Sequence, residues 1–133
     1  MPGETYRFHH IHVFCSDLDA TERWFIDAFD AQVAERRNSR GTPQTILMLG
    51  QLQLMLRPRR PDESLDPSVS THFGIDHFGL GVDDLDAVAA DLRRRGIPLE
   101  VEPMEWRPGL RIAFVRGPDD VRIELLEHAA PRG

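Results

Sequence analysis

Hydrophobic and polar positions alternate with two different periods along this chain, and the periods change in the same order twice. Between His10 and Cys15 the apolar residues Ile11, Val13 and Cys15 take every second position, and after His77 the residues Phe78, Leu80 and Val82 do the same. A period of two belongs to a strand with one packed face. Each run then gives way to a helical stripe, Trp24, Phe25, Ala28 and Phe29 in the first half and Leu85, Val88 and Leu92 in the second. Asp19 followed by Glu22 predicts a capping box for the first helix, and Asp86 a cap for the second. The run Arg93-Arg94-Arg95 suits the negative end of a helix dipole, and Gly96 predicts its stop.

Three strand candidates follow each helix. They lie near Gln32–Arg36, Thr45–Leu49 and Gln51–Leu56, and again near Leu99–Glu102, Leu110–Val115 and Val121–Leu126. Gly117-Pro118-Asp119-Asp120 supplies the turn of the last hairpin. The segment His10 to Ala20 also overlies His77 to Ala87, sharing the opening His and the tetrad Asp-Leu-Asp-Ala. The chain is therefore an internal repeat of a β-α-β-β-β module. Module one spans about 6–57 and module two about 74–128, within a single α+β domain of residues 1–133. Residues 58–73, with Pro58, Pro61 and Pro67, read as a linker or as a lid over a ligand site.

Composition removes several classes of chemistry. The 133 residues, 15.2 kDa, suffice for one core without staples. All 16 basic side chains are Arg, so an internal Schiff base, a phosphate-loop lysine and an amine nucleophile are excluded. Against 22 acids the net charge is −6, which speaks against a nucleic-acid partner. No apolar run is long enough to span a bilayer, and Met1 to His10 lacks the blocks of a signal peptide. The lone Cys15 has no disulfide partner within the chain, which makes a cytoplasmic location the expectation; it reads as a small apolar residue on a buried strand face.

Strand phase decides which polar side chains converge, because residues two apart share a face. If Ile11, Val13 and Cys15 face the helix, then His10, His12 and Phe14 turn away from it, as do His77, Gly79 and Gly81. On the closing strand Arg122, Glu124 and Leu126 turn the same way, and in the first half Gln51, Gln53 and Met55. One polar position per outer strand yields His10, Gln53, His77 and Glu124. Two nitrogen and two oxygen donors without a thiolate suit a divalent ion such as Zn, Co, Ni, Mn or Fe, and octahedral geometry leaves two positions for substrate or water. His12 is a candidate acid or base, or a structural residue. Trp106, Arg107 and Arg111 are candidate contacts for an anionic or planar substrate, or surface packing.

The doubled pattern His-x-x-x-x-x-x-Asp-Leu-Asp-Ala, with Arg-Gly-Pro-Asp-Asp-Val-Arg-Ile-Glu-Leu-Leu-Glu near the end, resembles the glyoxalase/bleomycin-resistance/dioxygenase superfamily, also called vicinal oxygen chelate, over about residues 6–128. That resemblance implies paired modules whose cupped mixed sheet surrounds a divalent metal held by His10, Gln53, His77 and Glu124. The ligand order is similar to methylmalonyl-CoA epimerase, but Gln44, Thr45 and Ile46 stand where that enzyme keeps a second catalytic Glu. Bacterial glyoxalase I carries Glu where this chain has Gln53. The implied activity is an isomerase or lyase of a small-molecule substrate, moving a proton beside a metal-bound carbonyl through an enolate or enediolate. Glu124 would be ligand and base, and His12 a second proton carrier. An extradiol-type dioxygenase using His10, His77 and Glu124, or a non-catalytic binding protein of the resistance type, are the alternatives. Open sheet edges and the resemblance together imply a homodimer.

Overall fold

The computed structural model describes residues 8–63 and 75–129. The chain divides into two compact units, Met1–Asp66 and Pro67–Gly133. In the first unit β1 (Ile11–Cys15) leads to α1 (Leu18–Phe29), then β2 (Gln32–Ser39), β3 (Thr42–Leu49) and β4 (Leu52–Pro58). The second repeats the order with β5 (Phe78–Gly81), α2 (Leu85–Arg94), β6 (Leu99–Arg107), β7 (Leu110–Arg116), a 3-10 turn at Pro118–Asp120 and β8 (Arg122–His128). Each unit carries a four-stranded mixed sheet, ordered β1-β4-β3-β2 in one and β5-β8-β7-β6 in the other. The first strand of each unit pairs parallel with the last, and the remaining pairs are antiparallel. The fold is α+β, as the periodicity predicts.

One face of each sheet is packed by the helix of its own unit. Phe25 and Ala28 of α1 are buried together with Leu47, Leu54 and Leu56; in the second unit Leu85, Ala89 and Leu92 are buried with Ala113, Val115, Ile123 and Leu125. Each fully buried Leu or Phe contributes on the order of 2 kcal/mol. These rows fix the phase of β1, β4, β5 and β8, and they turn the intervening positions to the other side.

The helix caps differ from the sequence expectation. Asp17 and Asp84 hold the N-caps, in extended backbone, and their carboxylates accept from the amides of Ala20 at 3.0 Å and Ala87 at 3.1 Å. Asp19 and Asp86 fall inside the first turns. The earlier Asp wins because a cap needs a non-helical residue whose side chain reaches the third amide ahead. Glu22, freed from capping, turns inward instead. Helix α1 stops at Asp30 in the left-handed region (φ 58°), and α2 at Gly96 (φ 78°), where the Ile97 amide donates to the Leu92 carbonyl at 2.9 Å.

Several strands outrun their hydrophobic patterns. Arg40 and Gly41, both at positive φ (53° and 79°), close a tight hairpin that carries β2 to Ser39 and starts β3 at Thr42. Gln51, expected to open a strand, lies in the turn before β4. Edge strand β6 runs on to Arg107 through three register shifts against β7, so Trp106 and Arg107 belong to a strand and not to a loop. No helix among the described residues is long and apolar enough to cross a membrane. Of the segment 58–73, residues 64–73 lie outside the described residues. Its described start is tied down: Arg57 at the end of β4 donates both Nη atoms to the Glu63 carboxylate, at 2.7 and 2.9 Å.

Candidate metal centre

In the second unit the face of the sheet turned away from α2 carries His77, Arg122 and Glu124. His77 immediately precedes β5, and Gly79 on β5 is the register partner of Glu124 on β8. The absence of a side chain at Gly79 leaves His77 free to reach diagonally across: its Nε2 stands 2.7 Å from Oε2 of Glu124. A Cβ at Gly79 would meet Cδ1 of Leu126 at 2.8 Å. The floor beside the pair is apolar. Phe114 is nearly buried with Leu110 and Ile112, Leu126 packs against them, and the His77 ring meets Phe114 edge to face at 5.2 Å.

A line of charge runs behind the imidazole. Nδ1 of His77 lies 2.8 Å from Oδ2 of Asp76, and the same oxygen accepts from Nη1 of Arg122 at 3.1 Å. Arg122 stacks over Phe114 with its guanidinium carbon 4.0 Å from the ring centre, and its Nε donates to Glu100 at 3.3 Å. Glu100 in turn accepts from Arg116 at 3.0 and 3.1 Å. The hydrogen bond with His77, with help from Arg122, holds the Asp76 carboxyl below the usual range; the hydrogen bond with Arg116 does the same for Glu100.

This donor set fits a divalent ion. A carboxylate on Nδ1 fixes a histidine's tautomer and aims the Nε2 lone pair, the arrangement that metal-bound histidines use. Two ligands about 2.1 Å from one ion and at right angles to each other stand about 3 Å apart. The 2.7 Å between Nε2 and Oε2 is close to that separation. Among the described residues no three His, Cys, Asp or Glu side chains gather to hold an ion. His77 and Glu124 are the two that the fold brings together.

The first unit presents His10 just before β1, with its Nδ1 2.8 Å from Nδ1 of the neighbouring His9. His12, exposed on β1, meets Phe14 edge to face at 5.2 Å, and Phe14 lies under the Arg57 guanidinium. Partial desolvation, then the positive charge of Arg57, hold the His12 imidazole below the ordinary histidine pKa, which favours its neutral form. Gln53 lies on β4 on the same side as His12, by strand alternation. It is not the counterpart of Glu124, however. Parallel pairing sets Ile11 beside Leu54 and Phe78 beside Ile123, so the position of Glu124 corresponds to Met55, and that of Gln53 to Arg122.

The residues proposed to contact substrate lie at the β6–β7 hairpin, where Glu105 pairs with Arg111 and Arg107 with Leu110. Arg111 on β7 pairs in register with Glu127, on the helix-packed face, and donates both Nη atoms to Asp86 of α2 at 2.9 Å. It is turned away from Glu124 and engaged in a two-pronged ion pair. Trp106 is 65% exposed at the end of β6, and Arg107 beside it is exposed. Cys15 is buried, as its strand phase predicts. Asp76 and Arg122 are missing from the sequence candidates. Their signals are an acid adjoining the histidine and an arginine two residues before the glutamate.

Residues 7–125 match the family model of the Glyoxalase/Bleomycin resistance protein/Dioxygenase superfamily. The chain is 28% identical over 124 residues to the uncharacterized protein YaeR of Escherichia coli, spanning 90% of this chain and 94% of YaeR. Among solved structures it is similar to a glyoxylase/bleomycin resistance protein/dioxygenase domain from a Frankia species, with a TM-score of 0.77 at 24% identity over 92% of this chain and 98% of that one. A variant of glyoxalase I from Zea mays matches with a TM-score of 0.73 at 23% identity, over 91% of this chain and 45% of the maize protein.

Proposed function

The chain belongs to the glyoxalase/bleomycin resistance protein/dioxygenase superfamily, and on that premise we propose that it is a divalent-metal-dependent isomerase or lyase that moves a proton beside a substrate carbonyl. The observation that carries this reading is the His77–Glu124 pair, with Asp76 fixing the imidazole from behind. His77 and Glu124 would hold the ion, and His10 and Gln53 stay the further ligand candidates of the sequence reading. When bound, a divalent ion acts as a Lewis acid toward the carbonyl oxygen and lowers the barrier to loss of the adjacent proton by several kcal/mol.

The chain's own groups then divide the work. Glu124 is a carboxylate set against the apolar wall of Phe114 and Leu126, and it takes the proton from the α-carbon and returns it. His12, on the corresponding face of β1, is the second proton carrier. The chain has no Lys and its one Cys is buried, so neither an amine nor an exposed thiol is offered for a covalent route. Trp106 and Arg107 are the substrate contacts retained from the sequence reading. Arg111 is not, because its guanidinium is engaged by Asp86.

The test is deuterium exchange from solvent into the α-carbon of a small 2-oxo thioester, thiohemiacetal or acyl-CoA, using protein reloaded with Co²⁺, Ni²⁺, Mn²⁺ or Zn²⁺. Exchange should disappear in Glu124→Gln and weaken in His12→Ala. The second reading, an extradiol-type dioxygenase, would use His10, His77 and Glu124 as the two-histidine, one-carboxylate set of iron oxygenases. Oxygen uptake with catechols in the Fe²⁺ form, without exchange, would replace the isomerase by a dioxygenase. Failure to take up any of these ions would leave a metal-free binding protein.

A further inference from the structure

The segment that leaves β4 folds back on itself, and most of its charged groups are engaged in holding that shape. Arg60-Pro61-Asp62-Glu63 closes a β-turn in which the Glu63 amide donates to the Arg60 carbonyl at 3.0 Å, with Pro61 at the position such turns favour for proline. The Glu63 carboxylate accepts from both Nη atoms of Arg57, at 2.7 and 2.9 Å, and from the Arg60 amide at 2.6 Å. The Arg57 guanidinium, then the Arg60 amide, pull that carboxyl down to about 2. Arg57 also donates to the Pro58 carbonyl at 3.0 Å, and Nη1 of Arg59 reaches the carbonyls of Arg60 and Glu63 at 3.3 and 3.2 Å.

Arg60 is the exception. Its backbone serves the turn, but its guanidinium makes no hydrogen bond or ion pair among the described residues, and its Nε is buried without an acceptor. A buried cationic donor without a partner is unfavourable and calls for an explanation. Residues 57–63 hold three Arg against Asp62 and Glu63, a local excess of positive charge in a chain of net charge −6. Arg57 stacks over Phe14 of β1 with its guanidinium carbon 4.6 Å from the ring centre, and the charges of Arg57 and Arg60 both reach His12 on the same strand. Arg60 therefore stands on the β1 side of its loop.

We infer that Arg60 is a binding site for the carboxylate or phosphate group of a small anionic molecule, on the β1 side of the first unit. A guanidinium presents parallel N–H donors in a rigid fork that matches either group. The turn fixes the Arg60 backbone at both its amide and its carbonyl, and enclosure of Nε restricts the side chain, so the fork is in place before the anion arrives. Such preorganisation lowers the ordering cost of binding. Arg57 does not compete, because Glu63 takes both of its Nη atoms. The site lies wholly within the first unit and needs neither a metal nor the proposed proton transfer.

The experiment titrates the chelator-treated, ¹⁵N-labelled full chain with inorganic phosphate and, separately, with acetate, at an ionic strength held constant with sodium chloride. Burial slows exchange of the Arg60 Nε–H with water, so that group is followed directly and identified through its own side-chain correlations. Phosphate, acetate or both should move this resonance and the amides of residues 57–63 along a saturating one-to-one curve, and the tighter anion names the group. The amide shifts should need about tenfold more anion or beyond in Arg60→Gln, and about threefold more in Arg60→Lys, which keeps the charge and loses the fork. Arg23→Gln, which removes an exposed arginine of the same unit, should bind as the parent does. Circular dichroism confirms that each variant is folded, and Arg60→Lys serves if Arg60→Gln is not. If neither folds, the parent decides, because the Arg60 Nε–H must be among the resonances that saturate. Shifts that rise linearly with both anions, or equal affinity in the parent and a folded Arg60→Gln, overturn the assignment. So does an equal loss in Arg23→Gln, which reduces the effect to net charge. The titration is carried out without metal, so a failure of metal uptake would end the proposed function and leave this result standing.

Discussion

Replacing Glu22 by Gln probes a charged group buried by the fold with no part in the proposed chemistry. Glu22 sits on α1 with its side chain only 10% exposed. Its Oε2 accepts from the Thr45 hydroxyl at 2.9 Å, and its carboxylate is gripped by the Arg36 guanidinium. Arg36 is 64% exposed, so solvent screens that ion pair heavily, whereas the Thr45 bond is buried. In Glu22→Gln the side-chain amide offers one oxygen where two donors converge, leaving its NH₂ facing either the hydroxyl or the guanidinium. Loss of the charge-assisted buried bond should dominate and cost about 1–2 kcal/mol at pH 7. The urea midpoint should fall by about 0.5–1 M. Arg36, then Thr45, pull the folded carboxyl below its ordinary value of 4.5 despite the opposing effect of burial. The stabilisation is therefore complete above that value and fades as pH drops through the lower folded pKa. The gap between parent and variant should shrink as the pH is taken down from 4.5 through the lower folded pKa. An equal or wider gap in acid would refute the argument.

Two further outcomes follow from the geometry around His77 and from the sheet edges. Asp76→Asn leaves a partner for Nδ1 but removes the charge that fixes the ring, and affinity for Co²⁺ or Mn²⁺, measured by competition with a chromogenic chelator, should drop about 10–100-fold; unchanged affinity would show that Asp76 does not position the ligand. The terminal strands β1 and β5 are expected to be covered by a second copy of the chain, so sedimentation at micromolar concentration should give about twice the 15.2 kDa of one chain, and a mass of one chain would count against it.

Much of the fold is written in periodicity. Alternation at Ile11, Val13 and Cys15 and at Ile123 and Leu125 fixes which face each strand packs, and the same rows bury under α1 and α2. Register is another matter. A slip of two residues leaves every side chain on its own face, so alternation places Gln53 and Met55 equally well toward the ligand side. Only the pairing of Ile11 with Leu54 and of Phe78 with Ile123 distinguishes them. The polar identity of Gln53 makes it the natural choice from sequence, and the pairing sets Met55 at the position that corresponds to Glu124. Asp19 and Asp86 yield the caps to Asp17 and Asp84 for a related reason: two acids stand two apart at each helix start, and the choice rests on backbone geometry. Arg111 resembles a substrate contact in sequence because its partners, Asp86 on α2 and Glu127 on β8, become neighbours only when helix and sheet have docked.

The line of charge from Arg116 through Glu100, Arg122 and Asp76 to His77 ties the orientation of one imidazole to edge strand β6, where Glu100 lies. Glu100, Arg116 and Arg122 remain about a quarter to a third exposed, within reach of dissolved ions. Molar salt shortens the reach of exposed charges to about 3 Å. The orientation of the His77 ring is thus expected to respond to the ionic composition of the surrounding solution, through contacts that lie on a different strand from the histidine itself.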